Sequence, residues 1–263
     1  MNLAQLHDHI RRLFYTLYTV IAITITFSIS IVGGLYMYQH RSTIVVSDFP
    51  KQIANTDPLF QYFYKTNLEK SLSNLNSSIK LPFVVSIIHR PCSEINMLYD
   101  SASKQITVCD EFLQKIIQQT PTSMDNAHFS EIYSQALFFI YHEIAHSIID
   151  TGNVPVVENE ESVADSIALW LLQNTQPSRF EIHSVVFSPL FTLVETSDDY
   201  EHIPNEQRLL TLACNVYGHN PITMNDIAEK LLDPKQATLC IEKSKLQQMS
   251  VQQSLQALFR TSS

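Results

Sequence analysis

Two histidines one helical turn apart, His142 and His146 in "FFIYHEIAHSIIDTG" at residues 138–152, constrain this chain more than any other feature. The stretch predicts an amphipathic helix that begins near Asp125, runs to about Thr151 and stops at Gly152, a residue suited to the left-handed conformation just past a helix end. Residues at i and i+4 share one helix face, so both imidazoles can converge on a single point. That face continues through Gln135, Phe138, Phe139 and Ile149 and is mostly apolar. Burying two imidazoles there without compensation is costly, which favours a shared metal ion over solvated histidines on a helix exterior. Glu143 points about 100° away from His142 around the axis, beside such an ion without being its ligand, which is where a general base stands.

A catalytic zinc takes three protein ligands and keeps a fourth position open for water. A second helix, expected from about Glu158 to Asn174 in "ENEESVADSIALWLLQN", offers the third. Glu161 and Asp165 are again spaced i and i+4, and Ala164 and Ala168 on the same side permit close helix approach. Glu161 is the expected third ligand, with Glu158 and Glu160 as rivals. A solvated acidic helix start explains the same carboxylates more blandly. Asp165, or Asp150 one turn after His146, is placed to accept the outer N–H of a ligating histidine and fix its tautomer.

The compartment follows from the first forty residues and from the cysteines. Leu13 to Tyr38 carries no formal charge and is long enough to cross a hydrocarbon core of roughly 30 Å as one helix, with tyrosines at both ends. A cleaved leader competes poorly, because the run exceeds an ordinary signal-peptide core, and its threonines leave a buried soluble helix as a further alternative. Residues 1–12 are then expected in the cytoplasm, 13–38 as a signal anchor, 39–80 as a juxtamembrane linker and helix, and 81–263 as the folded domain. Basic residues on the two sides of the span nearly balance, so orientation rests on the four cysteines. All follow the span as two local pairs, Cys92 with Cys109 and Cys214 with Cys240, and two bridges fit a periplasmic or extracellular setting. Four reduced, buried cysteines are the alternative. A net charge of −9 excludes a nucleic-acid footprint.

Between these landmarks the patterning is α+β and helix-dominated. A helix is expected over 57–76, a strand over 81–88, a hairpin between the first cysteine pair with its turn at 101–104, and a short helix in "EFLQKIIQQT". Further helices are expected in "PLFTLVE", "NEQRLLTLACNVYG", "MNDIAEKLL" and a terminal stretch ending "LQALFR".

"HEIAHSIIDTGNVPVVENEESVADSIA" resembles the core of a family of zinc metallopeptidases filed as a domain of unknown function, whose pattern runs near H-E-L-G-H-A-L-I-D, L-P-V and E-E-x-A-A-D. The likeness extends over about residues 70 to 242, cysteines included. Departures fall at Ile144 and Ala145, where Leu and Gly are usual, and at Val163, where Ala is usual. The resemblance implies a zincin-like fold, one zinc per chain, His142 and His146 as ligands, Glu161 as third ligand, Glu143 as catalytic acid/base, and a peptide or protein substrate. Tyr217, His219 and Arg208 are candidate donors to a developing oxyanion. A scaffold that keeps the fold and binds envelope partners without hydrolysis is the rival class. An intramembrane protease is disfavoured, because the motif lies about a hundred residues past the span on a helix that also carries Glu131, Ser134 and Gln135.

Overall fold

A computed structural model describes residues 15, 17–21, 23–28, 30, 43–48, 68–118, 126–152, 154–156, 159–175, 182–187 and 206–259. The chain divides into two compact units, Met1–Arg41 and Ser42–Ser263. In the first unit every described residue is helical and exposed. Thr19, Thr24, Ser28 and Ser30 each donate a hydroxyl hydrogen bond to a carbonyl four residues back, so these polar groups are satisfied inside the helix itself. Among the described residues no helix is long and apolar enough to cross a membrane; the remainder of the expected 13–38 span lies outside them.

The second unit is helix-dominated α+β around a four-stranded sheet. Its elements are β1 (Ile44–Asp48), α1 (Glu69–Ser78), β2 (Val85–Arg90), β3 (Met97–Asp100), β4 (Gln105–Cys109), α2 (Asp110–Gln118), α3 (Asn126–Ile149), α4 (Glu160–Thr175), α5 (Ile182–Val186), α6 (Glu206–His219), α7 (Asn225–Leu231) and α8 (Pro234–Leu255). The sheet order is β1-β2-β4-β3, with β1 and β4 parallel to β2 and β3 antiparallel to β4. β1 lies in the stretch expected as a linker. The Asn76 side chain of α1 holds it, accepting from the Thr43 and Ile44 N–H groups and donating to the Ile44 carbonyl. The expected helix over 57–76 is described only from Leu68, with its α-helical part running Glu69–Ser78, and "PLFTLVE" lies outside the described residues.

The hairpin forms as its sequence suggests. β-branched Ile106, Thr107 and Val108 are buried on β4, and in the turn the Asp100 carboxylate accepts from the Ala102 N–H and the Ser103 hydroxyl. The Cys92–Cys109 disulfide joins the approach to β3 with the end of β4, and Glu111 accepts the N–H groups of Cys92 and Ser93. Both expected bridges are present.

α3 departs from the amphipathic expectation. From Tyr133 to Ile148 it is buried almost all round, His142, Glu143 and Ser147 included, as befits a central helix. It packs against α4 and α5 and meets the hairpin strands β3 and β4. It ends where expected, with Gly152 at φ 74° and its N–H bonded to the Ile149 carbonyl.

α6 and α8 form the second layer, joined by Cys214–Cys240. α8 opens on a capping box, in which Asp233 accepts from the Lys235 and Gln236 N–H groups and Pro234 occupies the first turn. Gly218 is required at the crossing, because a Cβ there would stand 2.2 Å from the Cys240 carbonyl oxygen. Gly218→Ala is therefore expected to destabilise the domain by roughly 1–3 kcal/mol, read from a denaturant midpoint.

His89 on β2 is buried, with Nδ1 3.0 Å from Asp110 Oδ1. Burial outweighs the nearby Glu111 carboxylate and lowers its pKa to about 4. The neutral form is the folded one, so as pH falls from 6.5 towards 4 the unfolded chain takes up a proton that the native chain does not, and stability drops. His89→Asn should flatten that part of the stability–pH curve; an unchanged slope would contradict the assignment.

Candidate metal centre

α3 and α4 bring their i, i+4 pairs face to face in antiparallel sense. His142 meets Asp165, and His146 meets the start of α4. Asn159, immediately before α4, accepts the Glu161 N–H with its side chain, which satisfies a helix-end donor and sets Glu160 and Glu161 in the first turn.

Each histidine carries a carboxylate at its outer nitrogen. His142 Nδ1 is 2.9 Å from Asp165 Oδ1, and His146 Nδ1 is 2.8 Å from Glu160 Oε1. With both Nδ1–H groups donating outward, the Nε2 lone pairs turn towards each other, 3.1 Å apart. Glu161 completes the triangle, its Oε2 3.1 Å from His142 Nε2 and its Oε1 3.2 Å from His146 Nε2.

Three Lewis-basic groups at such separations repel unless a cation lies among them. In the protein alone the Arg208 guanidinium lies beside them, with Nη1 3.1 Å from Glu161 Oε2 and Nη2 3.3 Å from His142 Nε2. Burial disfavours the charged form of His142, but Asp165 and Glu161 more than offset it and raise the pKa to about 9. Burial likewise works against ionised Asp165, yet the Arg208 guanidinium and His142 hold its carboxyl at about 2. Zinc fits the same place. Donors around zinc at 2.0–2.1 Å in a tetrahedron are about 3.3 Å apart, close to all three observed separations, and two imidazoles with one carboxylate form a known catalytic donor set. The three residues form a group able to hold a metal ion.

Other expected residues are placed differently. Asp150 is exposed at the end of α3, where its carboxylate accepts from Tyr99 at 2.7 Å and pairs with Lys104; among the described residues it supports no histidine. Glu160, expected only as a rival ligand, stands at the outer nitrogen of His146 in its stead; Glu158 lies outside the described residues. Of the three candidate oxyanion donors only Arg208 reaches the cluster. Tyr217 and His219 follow it on α6 by nine and eleven residues, roughly 14 and 16 Å along the axis. Tyr217 packs on the core, and His219 is bonded to Gln248.

Arg208 is buried, with Nε and Nη2 donating to the two oxygens of Asp165 at 2.8 and 2.7 Å and Nη1 3.1 Å from Glu161 Oε2. Burial opposes its charge, but Asp165, Glu161 and Glu143 together raise its pKa further. Glu143 is itself 1% exposed beside His142.

A pair of histidines and a glutamate on two packed helices, with Glu143 next in sequence to the first histidine, is compatible with a zinc site. The chain belongs to the family described as "Putative metallopeptidase" (DUF4344), whose profile matches residues 52–255. No curated protein and no solved structure shows significant similarity to it.

Asp165→Asn should weaken zinc binding about 10- to 100-fold, as loss of a histidine's outer partner does. Glu160→Gln should cost less, because Glu160 is 53% exposed and its pair is shared with water. Asp150→Asn should leave zinc affinity unchanged. Competition with a chromophoric chelator measures all three.

Proposed function

We propose that this protein is a membrane-anchored zinc metallopeptidase of zincin-like fold, with one zinc per chain, acting on peptide or protein substrates outside the cytoplasm. The observation that carries the proposal is the convergence of His142 Nε2, His146 Nε2 and the Glu161 carboxylate within 3.1–3.2 Å of one another. Family membership supplies the reaction class.

When bound, zinc supplies a Lewis acid that polarises a peptide carbonyl and makes water acidic near neutral pH. His142, His146 and Glu161 hold it. Asp165 and Glu160 keep the histidines in the tautomer that presents Nε2. Glu143 accepts the proton of the attacking water and hands it to the leaving amine, a task for which its place beside His142 suits it.

Two disulfides support an oxidising compartment for the folded domain, periplasmic or extracellular. Anchoring through residues 13–38 is supported by the uncharged run, by exposed Tyr15, Val20, Ile23 and Phe27 among its described helical residues, and by Thr and Ser hydroxyls bonded within the helix. Residues 1–12 then lie in the cytoplasm, and the catalytic domain is the compact unit Ser42–Ser263, which takes in β1 and α1 from the stretch expected as a linker.

Full-length protein in detergent, expressed with ample zinc, should carry about one zinc per chain by elemental analysis and cleave unfolded polypeptide. His146→Ala should lose the metal. Glu143→Gln should keep it and lose turnover by about 10²-fold or more. A chain without zinc would overturn the metal reading, and full activity in Glu143→Gln would remove that residue's role. Intact zinc with no hydrolysis would favour the scaffold.

A further inference from the structure

We infer that Arg208 is a positioning residue of the metal centre: α6 supplies a buried guanidinium that sets the orientation of Asp165 and Glu161, and through them the metal-facing nitrogen of His142. The inference rests on the zinc reading above.

The geometry is that of a clamp across one helix face. Asp165 and Glu161 stand one turn apart on α4, and one guanidinium spans both. Nε and Nη2 take the two oxygens of Asp165 as parallel bonds at 2.8 and 2.7 Å, and Nη1 lies 3.1 Å from Glu161 Oε2. A planar fork fixes the rotation of a carboxylate, which a point charge does not. That rotation matters, because Asp165 Oδ1 is the atom 2.9 Å from His142 Nδ1. Turning the carboxylate away would free the imidazole to exchange tautomers and withdraw the Nε2 lone pair from the cluster.

Charge and burial point the same way. Glu143, His142 and Asp165 are at most 2% exposed, and Arg208 is 7% exposed. Carboxylates gathered so deeply require a cation that is present whether or not a metal is bound, and Arg208 is charged at any working pH. Its Nη2 also lies 3.1 Å from His142 Nδ1 and 3.3 Å from His142 Nε2, so the same guanidinium packs directly on the imidazole whose carboxylate partner it holds.

The test measures zinc affinity of the full-length protein by chelator competition, together with the visible spectrum of the cobalt-substituted form. Arg208→Lys keeps the charge and loses the fork. It should bind zinc about 10- to 100-fold more weakly and shift the cobalt spectrum, with the far-ultraviolet circular dichroism unchanged. Arg208→Gln should lose more affinity; if it fails to fold, the lysine variant decides. In a double-mutant cycle, Asp165→Asn should cost much less in the Arg208→Lys background than in wild type, because both act on one imidazole. Wild-type affinity and spectrum in Arg208→Lys would overturn the inference, as would strict additivity with Asp165→Asn. A wild-type protein that takes up no zinc fails the metal reading first and this inference with it, a result distinct from either.

Discussion

The charged chain from His142 through Asp165 to Arg208 is the interaction on which the rest of the site depends. It lies where α3, α4 and α6 meet, and each member is buried only because the next is there. An isolated imidazolium, carboxylate or guanidinium at such depth would cost several kcal/mol. Together they let α3 run through the middle of the domain as a helix covered on nearly every side while still carrying polar chemistry. The small alanines of α4 make this possible. Ala164 and Ala168 are fully buried, and their size allows the α4 backbone close enough for Glu161 and Asp165 to reach across.

Much of this is legible in the sequence because it is periodic. The i, i+4 histidines, the i, i+4 carboxylates and the glycine after Asp150 mark two helices and their facing sides, and local cysteine spacing marks the hairpin and the α6–α8 pairing. What periodicity omits is the neighbour. Asp150 has the right offset from His146, yet the hairpin brings Lys104 and Tyr99 to it first. Glu160 follows no spacing rule, since where helices cross consecutive residues can flank one partner. Both supports are visible only once the crossing is known.

β1 is hidden in the sequence for a different reason. "IVV" at 44–46 is short, follows an uncharged run, and joins its parallel partner only through the crossover that contains α1, so nothing local announces the pairing. Its hydrogen bonds to Asn76 are likewise non-local. Arg208 is legible in "NEQR" as a candidate donor to an oxyanion, but its pairing with Asp165 and Glu161 is visible only once α6 is seen to press it onto α4. Tyr217 and His219 shared its helix and were separated from the site by simple rise per residue.

The sequence distances within the cluster carry a consequence for how it comes into being. His146 meets Glu160 across 14 residues, whereas Arg208 reaches Asp165 and His142 across 43 and 66. Closing a short loop costs less entropy than closing a long one, so the α3–α4 pairing is the inexpensive, local part of the cluster and the α6 contact its costly, long-range part. His142, His146 and Glu161 thus all belong to the local pairing, whereas the permanent positive charge is brought by the long-range one.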